Sequence, residues 1–402
     1  MLKINRFDHQ GRGIGILNNK IIFIKNALPD EIVEYEIIKN KKNYLEGKII
    51  KIIKQSNKRI KPICPYYNIC GGCQLMHIDY EQQLKFKQEK IENIIHKYTE
   101  NYIQIDNIIK CDNIYNYRNK ATIHVDKIVG FFQDNTNKII NVNYCYLLDS
   151  TINNILKELS NKKYEKDEII IRSNGNNTLI YHNNEKNNLS NINADNIILK
   201  DKIIKGNNYI IENLNKYKFL VSPTSFFQVN TKQTIKLYDI IKQLANLNKN
   251  DYVLDLYCGT GTIGIYLCEY CNKVLGVEIN KYAIKDANEN KKINNIKNID
   301  FIVGDAKDVI KKTNFKPTVI IVDPPRSGLF KGMINDLIKF NAEKIIYVSC
   351  EPITLARDLK ELKNFYDIKT IQPIDMFPNT YHVECVSLLY LKENKKNLKN
   401  NK

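Results

Sequence analysis

The sequence predicts an α/β protein in three parts. A small β-rich segment comes first, a mixed α+β region follows, and a parallel sheet wrapped by helices ends the chain. Three observations carry this. Strand-like and helix-like runs alternate from about residue 230 onward, the pattern of a parallel sheet with helical crossovers. Short β-rich runs crowd the first 58 residues. A stretch rich in Pro, Gly and Cys separates the two. At 402 residues the chain exceeds what one hydrophobic core usually serves. The expected boundaries are 1–58, 59–220 and 221–392, with a Lys/Asn-rich tail over 393–402.

In the first segment Gly11, Gly13 and Gly15 punctuate the opening residues. IIFIKNALPDEIVEYEII supplies two β runs around a Leu-Pro-Asp turn, and GKIIKIIK follows. Five short strands in so few residues predict a small OB-like barrel, a shape that commonly binds single-stranded nucleic acid. The competing reading is a plain structural β-domain.

Residues 59–79 read as loop, and YEQQLKFKQEKIENIIHKY from Tyr80 reads as an amphipathic helix with Leu84, Ile91 and Ile95 on one face. From about 110 to 220 the pattern returns to β, broken by Asn-rich turns such as Asn174-Gly175-Asn176-Asn177. Beyond that, a helix over Thr231–Leu247 precedes the strand YVLDLY. KVLGVEI, IDFIVGD, TVIIVDPP and KIIYVSC are further strands with helices between them. IKTIQPIDMF and VECVSLLYLK close the chain as a strand pair.

LDLYCGTGTIG places Gly259, Gly261 and Gly264 as G-x-G-x-x-G directly after a strand and at a helix start. Glycines there let backbone amides approach a nucleotide-like ligand. NAD is the obvious competitor. Asp255 within the first strand, Glu278 after the second, Asp305 in GDA after the third and Asp323 in VDPPR after the fourth favour S-adenosylmethionine instead. Each acid alone reads as a helix cap; together they line the carboxyl edge, where open α/β sheets bind ligands.

VSCEP puts Cys350 at the carboxyl end of the next strand and just before a helix, a position expected to favour the thiolate. The bland reading is a buried small hydrophobe. Carbon 5 of uracil is a poor nucleophile until a thiolate adds to carbon 6, and a nearby base must then take the carbon 5 proton. NTYHVECVSLL supplies His382 and Glu384, two apart in an extended segment. Cys64, Cys70 and Cys73 form C-x5-C-x2-C, and Cys145 lies in VNYCYLL; from spacing alone such a set suits zinc or an iron–sulfur cluster. Cys268 and Cys271, with Cys111, Cys258 and Cys385, read as buried or incidental.

Composition sets the class. Ten cysteines and no apolar leader predict reduced thiols in a cytoplasmic chain. No run of apolar residues is long enough for a membrane helix, so no membrane partner is expected. A net charge of +17, from 61 Lys and Arg against 44 Asp and Glu, points to a polyanion such as RNA, although Lys-rich drift competes with that reading.

CPYYNICGGCQLMHIDYEQQLKFK, YRNKA, SPTSFFQVN, LDLYCGTGTIG, GVEIN, VDPPRSGL, VSCEPITLARDL and MFPNTYHVECVSLL occur in this order over about residues 60 to 390. In these stretches the chain closely resembles the bacterial RNA uracil-5-methyltransferases, and the segment through NALPDE resembles their TRAM domain. The resemblance implies a Rossmann-like class I methyltransferase domain behind the OB-like TRAM barrel and a central iron–sulfur domain. It implies Cys350 as nucleophile and Glu384 as base. It implies Gln228, Tyr257, Thr262, Glu278, Asp305 and Asp323 around S-adenosylmethionine. Some relatives carry Asn at the positions of Thr262 and Asp305. It implies Cys64, Cys70, Cys73 and Cys145 as ligands of a 4Fe-4S cluster. RNA is the implied partner, 23S ribosomal RNA first and tRNA second, and the chain is expected to act as a monomer. Enzymes methylating an exocyclic nitrogen, and RNA-binding proteins without activity, are the rival readings.

Overall fold

The computed structural model describes residues 1–99 and 103–393. The expected tail over 393–402 therefore lies outside the described residues, apart from Glu393. The N-terminal segment forms one six-stranded sheet rather than the expected five strands, because the Leu2–Lys3 and Arg6–Phe7 pairs also join it. Its core is Leu2, Ile4, Ile22, Ile24, Ala27, Val33 and Leu45. Gly15 is needed where the backbone passes Leu2: a Cβ there would lie 2.7 Å from the Leu2 side chain. Arg59 fastens this sheet to the rest. Its Nε and Nη2 donate to the buried Glu31 carboxylate at 2.6 and 2.8 Å, and Nη2 also reaches the Asn26 carbonyl.

The first long helix, α1, spans Tyr80–Thr99 and buries Leu84, Phe86, Ile91 and Ile95. A seven-stranded mixed sheet follows over residues 120–205, with its core around Ile123, Val125, Ile169 and Ile171. Within it runs α2, Ser150–Ser160, in a stretch read as β. Its signals were present. Asp149 caps it by accepting from Thr151 N, and Ile152, Ile155, Leu156 and Leu159 fall on one buried face. Asn174–Asn177 is the expected turn, with Gly175 at φ +87°.

The C-terminal sheet has seven strands: β1 Tyr252–Leu256, β2 Lys273–Glu278, β3 Ile299–Val303, β4 Val319–Val322, β5 Lys344–Ser349, β6 Tyr366–Ile374 and β7 Glu384–Leu391. Their order is β3-β2-β1-β4-β5-β7-β6. The first five are parallel, and β7 runs antiparallel to both neighbours. The interlaced helices are α3 Thr231–Ala245, α4 Thr262–Leu267, α5 Lys281–Ile293, α6 Ala306–Lys312, α7 Met333–Phe340 and α8 Pro352–Leu362. Strands covered on both faces need continuous apolar runs, and VIIV of β4 and KIIYVS of β5 are buried throughout. Among the described residues no helix is long and apolar enough to cross a membrane.

Candidate active site and four-cysteine centre

The glycine-rich end of the sheet, where sequence places the cofactor, is built by the turn after β1. Tyr257, Gly259 and Gly261 all take positive φ, +62°, +54° and +77°. Gly261 is obligatory, since a Cβ there would stand 2.4 Å from the Phe301 ring. Glu278 holds the turn to the end of β2: its Oε2 accepts from Gly259 N at 3.2 Å, and Oε1 from Asn280 N at 2.8 Å. Thr262 opens α4, and its hydroxyl meets Tyr238 Oη at 2.7 Å. Tyr257 is half-buried, and burial together with the Asp305 and Glu278 carboxylates holds its hydroxyl up at about 12. Gln228 is buried on the segment leading into α3. That segment reaches across to the end of β6, where Asn230 Nδ2 donates to Met376 O at 3.1 Å and Gln233 Nε2 to Asp375 O at 2.9 Å.

Two of the four strand-end acids have simpler roles than expected. Asp255 does not line an open edge. It is fully buried, and its Oδ2 accepts from Gly264 N at 3.0 Å, bracing the glycine turn. Burial, then the Asp323 carboxylate, raises it to about 8, and its Oδ1 has no partner. Asp305 caps α6 by accepting from Lys307 N, the bland role weighed against ligand contact, although its exposed carboxyl still faces Tyr257.

The thiol and the carboxyl singled out by sequence are brought together by the end of one strand and the start of another. The β5–β7 ladder ends at the Ser349–Cys385 pair, so Cys350 and Glu384 are the next residues of the two strands at that end, and the Glu384 carboxylate acts on the Cys350 thiol. Asp323 follows β4 alongside. The site is buried and rich in carboxyls. Glu384 is buried, and burial reinforced by Asp323 raises its pKa well above the usual carboxylate range. Asp323 is raised as well, by burial. Cys350 is half-buried, and its thiol is pushed up to about 12 by burial, then by Glu384 and Asp323, with Arg326 opposing. The expected helix-favoured thiolate is thus not the resting form. Two carboxyls and desolvation outweigh the start of α8, whose open amide at Ile353 is already capped by Glu351. His382 lies just outside β7, not beside Glu384 in the strand. Its Nε2 is 3.5 Å from Arg326 Nη2, and burial plus nearby cations lower it to about 3, so it is neutral.

Arg326 was not singled out by sequence, although its place in VDPPR was a signal. Tyr238 carried no local signal, because its partner Thr262 lies 24 residues away. In YRNKA, Asn119 is structural: its Nδ2 donates to Glu212, to Gln228 O and to Thr231.

Far from Cys350 along the chain, Cys64, Cys70, Cys73 and Cys145 line one cavity of about 710 Å³. The thiols face one another: Cys73 is raised by burial and then by each of the other three. Asn153 of α2 holds the Cys145 backbone at both ends, accepting from its N–H at 2.8 Å and donating to its carbonyl at 3.0 Å. Among the described residues no three His, Cys, Asp or Glu side chains converge closely enough to hold one metal ion. Cys111, Cys258, Cys268, Cys271 and Cys385 are buried, as expected.

Residues 79–392 match the tRNA (uracil-5-)-methyltransferase family, and residues 2–50 match the TRAM domain. An uncharacterized RNA methyltransferase of Clostridium tetani is 36% identical, covering 96% of this chain and 95% of its own length. One from Oceanobacillus iheyensis is 35% identical over the same shares. The structure of the Pyrococcus abyssi tRNA (uracil-54, C5)-methyltransferase with S-adenosyl-L-homocysteine superposes with a TM-score of 0.78 at 27% identity, covering 97% of this chain and 99% of that one. The thiol, the carboxylates and the glycine turn at one sheet edge thus sit in a chain that belongs to the tRNA (uracil-5-)-methyltransferase family, an S-adenosylmethionine-dependent RNA uracil-5-methyltransferase with an N-terminal TRAM domain.

Proposed function

We propose that this chain methylates carbon 5 of one uridine in 23S ribosomal RNA, with Cys350 as nucleophile and Glu384 as base. The observation that carries the chemistry is the β5–β7 register, which supports a thiol and a carboxyl acting on one ring. S-adenosylmethionine, when bound, supplies an electrophilic methyl group. Tyr257, Thr262, Glu278, Asp305, Asp323 and Gln228 are the residues proposed to hold it, and the carboxylates among them fit a cationic, hydroxyl-rich ligand. Cys350 gives up its proton to solvent and its Sγ bonds to carbon 6, while the electron pair of the carbon 5–carbon 6 double bond moves toward the carbon 4 oxygen and turns the ring into an enolate. Carbon 5 of the enolate would take the methyl group, with S-adenosylhomocysteine as the leaving group. Glu384 in its carboxylate form then takes the carbon 5 proton. The carbon 6–sulfur bond breaks as the double bond returns, and Cys350 leaves as thiolate.

Cys64, Cys70, Cys73 and Cys145 are proposed to hold a 4Fe-4S cluster. Their mutual repulsion as thiolates needs a cationic centre. The cluster would fasten the central domain and takes no part in the methyl transfer. That set beside a TRAM domain supports the ribosomal target, by the family resemblance. A second reading, the tRNA T-loop, is favoured by the likeness to the Pyrococcus abyssi tRNA (uracil-54, C5)-methyltransferase.

The test pairs two variants. Cys350→Ala is expected to abolish methylation, and Glu384→Gln to trap a methylated RNA adduct on the protein. Undiminished turnover by Cys350→Ala refutes the reading. Mapping 5-methyluridine in RNA from cells lacking the protein decides between the two targets.

A further inference from the structure

Residues 375–383 connect β6 to β7 and deliver Glu384. This connection is buried rather than exposed: Asp375, Met376, Asn379, Thr380 and Val383 are all inaccessible. A buried loop must find partners for its backbone outside any ladder. Here they come from two distant segments. Gln83, Lys87 and Lys90 stand at i, i+4 and i+7 on α1, all buried, and each reaches the loop. Lys87 Nζ donates to Asp375 Oδ1 at 2.5 Å and to Phe377 O at 3.0 Å, and Lys90 Nζ donates to Tyr381 O at 3.0 Å.

Asn379 is the centre of this arrangement. Its N–H donates to Gln83 Oε1 at 2.9 Å, and its Oδ1 accepts from Gln83 Nε2 at 3.2 Å. Its Nδ2 donates to Ile114 O at 2.8 Å. Its carbonyl accepts from both Gln74 N and Leu75 N at 3.0 Å, the two amides that follow Cys73. The residue sits at φ +67°, which Asn tolerates better than most. One residue therefore joins α1, the cysteine loop and the base-bearing loop. Thr380 passes the constraint on: its Oγ1 donates to Phe377 O and accepts from His382 N.

We propose that Asn379 is a positioning residue for the base, locking the 375–383 loop to Gln83 and to the cysteine loop so that Glu384 meets the carbon 5 proton. This rests on Glu384 being that base. A base must come within about 2.6–3.2 Å of its proton, and a misplacement near 1 Å can cost about a hundred-fold. Slack in the loop should therefore fall on deprotonation, after methyl transfer, and leave cofactor binding alone.

The experiment uses the full chain with unmodified 23S rRNA and tRNA transcripts in parallel. Asn379→Gly keeps the backbone contacts and tolerates the left-handed φ, while Gln83→Ala removes the partner from the other side. Both are expected to lower kcat about ten-fold or more and to keep KM for S-adenosylmethionine within about two-fold. Both should also accumulate the covalent RNA–protein adduct on a denaturing gel. Hydrogen exchange should quicken at residues 376–384 and stay native in β5. Loss of kcat without adduct, a KM that rises in step, or unchanged exchange in the loop overturns the proposal. Glu384→Gln runs beside them: if it traps adduct and the Asn379 and Gln83 variants do not, the positioning role fails alone, whereas no adduct in Glu384→Gln removes the base itself.

Discussion

Alkylation of Cys350 in the ligand-free protein tests the electrostatic account directly. Its thiol is pushed up to about 12 by burial, Glu384 and Asp323. At pH 8 that leaves a thiolate fraction near ~10⁻⁴, against about a quarter for a free cysteine with a pKa near 8.5. The more basic thiolate is intrinsically more nucleophilic, by roughly forty-fold for a Brønsted slope of about 0.45. Cys350 should therefore react with iodoacetamide about sixty-fold more slowly than free cysteine at pH 8, with the rate still climbing about ten-fold per pH unit at pH 10. Removing a neighbouring negative charge lowers an acid's pKa, so Glu384→Gln should speed the reaction at fixed pH and move the profile to lower pH. Peptide-resolved mass spectrometry separates Cys350 from the other nine cysteines. A plateau reached below about pH 8 in the ligand-free protein, or no acceleration in Glu384→Gln, refutes the reasoning.

Lys87 and Asp375 form an ion pair with both side chains fully buried, so Lys87→Met should cost about 3–5 kcal/mol, and replacing both partners with apolar residues should recover most of it; denaturant unfolding checks this, and a single-variant cost below about 1 kcal/mol counts against it. Gly261→Ala puts a Cβ 2.4 Å from Phe301 and should abolish S-adenosylhomocysteine binding in calorimetry, while Gly259→Ala, with nothing within 4 Å, should weaken it less. Anaerobically purified protein should carry about four iron and four sulfide, reduced in Cys73→Ser, and zinc at full occupancy without iron would contradict the cluster. Because Asn153 holds the Cys145 backbone, Asn153→Ala should lower iron retention on gel filtration, and an unchanged iron content would dismiss that role.

Much of the fold was legible because its signals are local. The glycine turn after β1, the all-apolar β4 and β5 and the Asn230 cap of α3 each depend on residues a few positions apart. The helix α1 was legible from Leu84, Ile91 and Ile95, but its other buried side was not. An amphipathic reading sends Lys87 and Lys90 to solvent, and the groups that hold them inside lie about 290 residues away. The helix α2 was missed for a different reason. Its cap and spacing were present, but it is a single eleven-residue element inside a run of strands, and the neighbouring pattern prevailed.

The site divides along the same line. That Cys350 sits at the carboxyl end of a strand could be read from VSC, and that Glu384 opens a strand from VECVSLL. Their coming together could not, because it is set by pairing across 34 residues between β5 and an antiparallel β7. The local rule, a thiol before a helix, gives the wrong resting charge, because burial first and the long-range carboxylates second outweigh it. That outcome has a mechanistic use. A site holding two carboxyls beside a thiol lacks a cation, and Arg326 only partly supplies one. Burial, and after it repulsion, keeps both Cys350 and Glu384 protonated; a cationic methyl donor beside Asp323 would offset the repulsive part, so the proposed thiol and base would become competent together. Alkylation of Cys350 should then accelerate with a cationic, non-transferring analogue and much less with neutral S-adenosylhomocysteine. Equal acceleration by both would assign the effect to conformational ordering instead of charge.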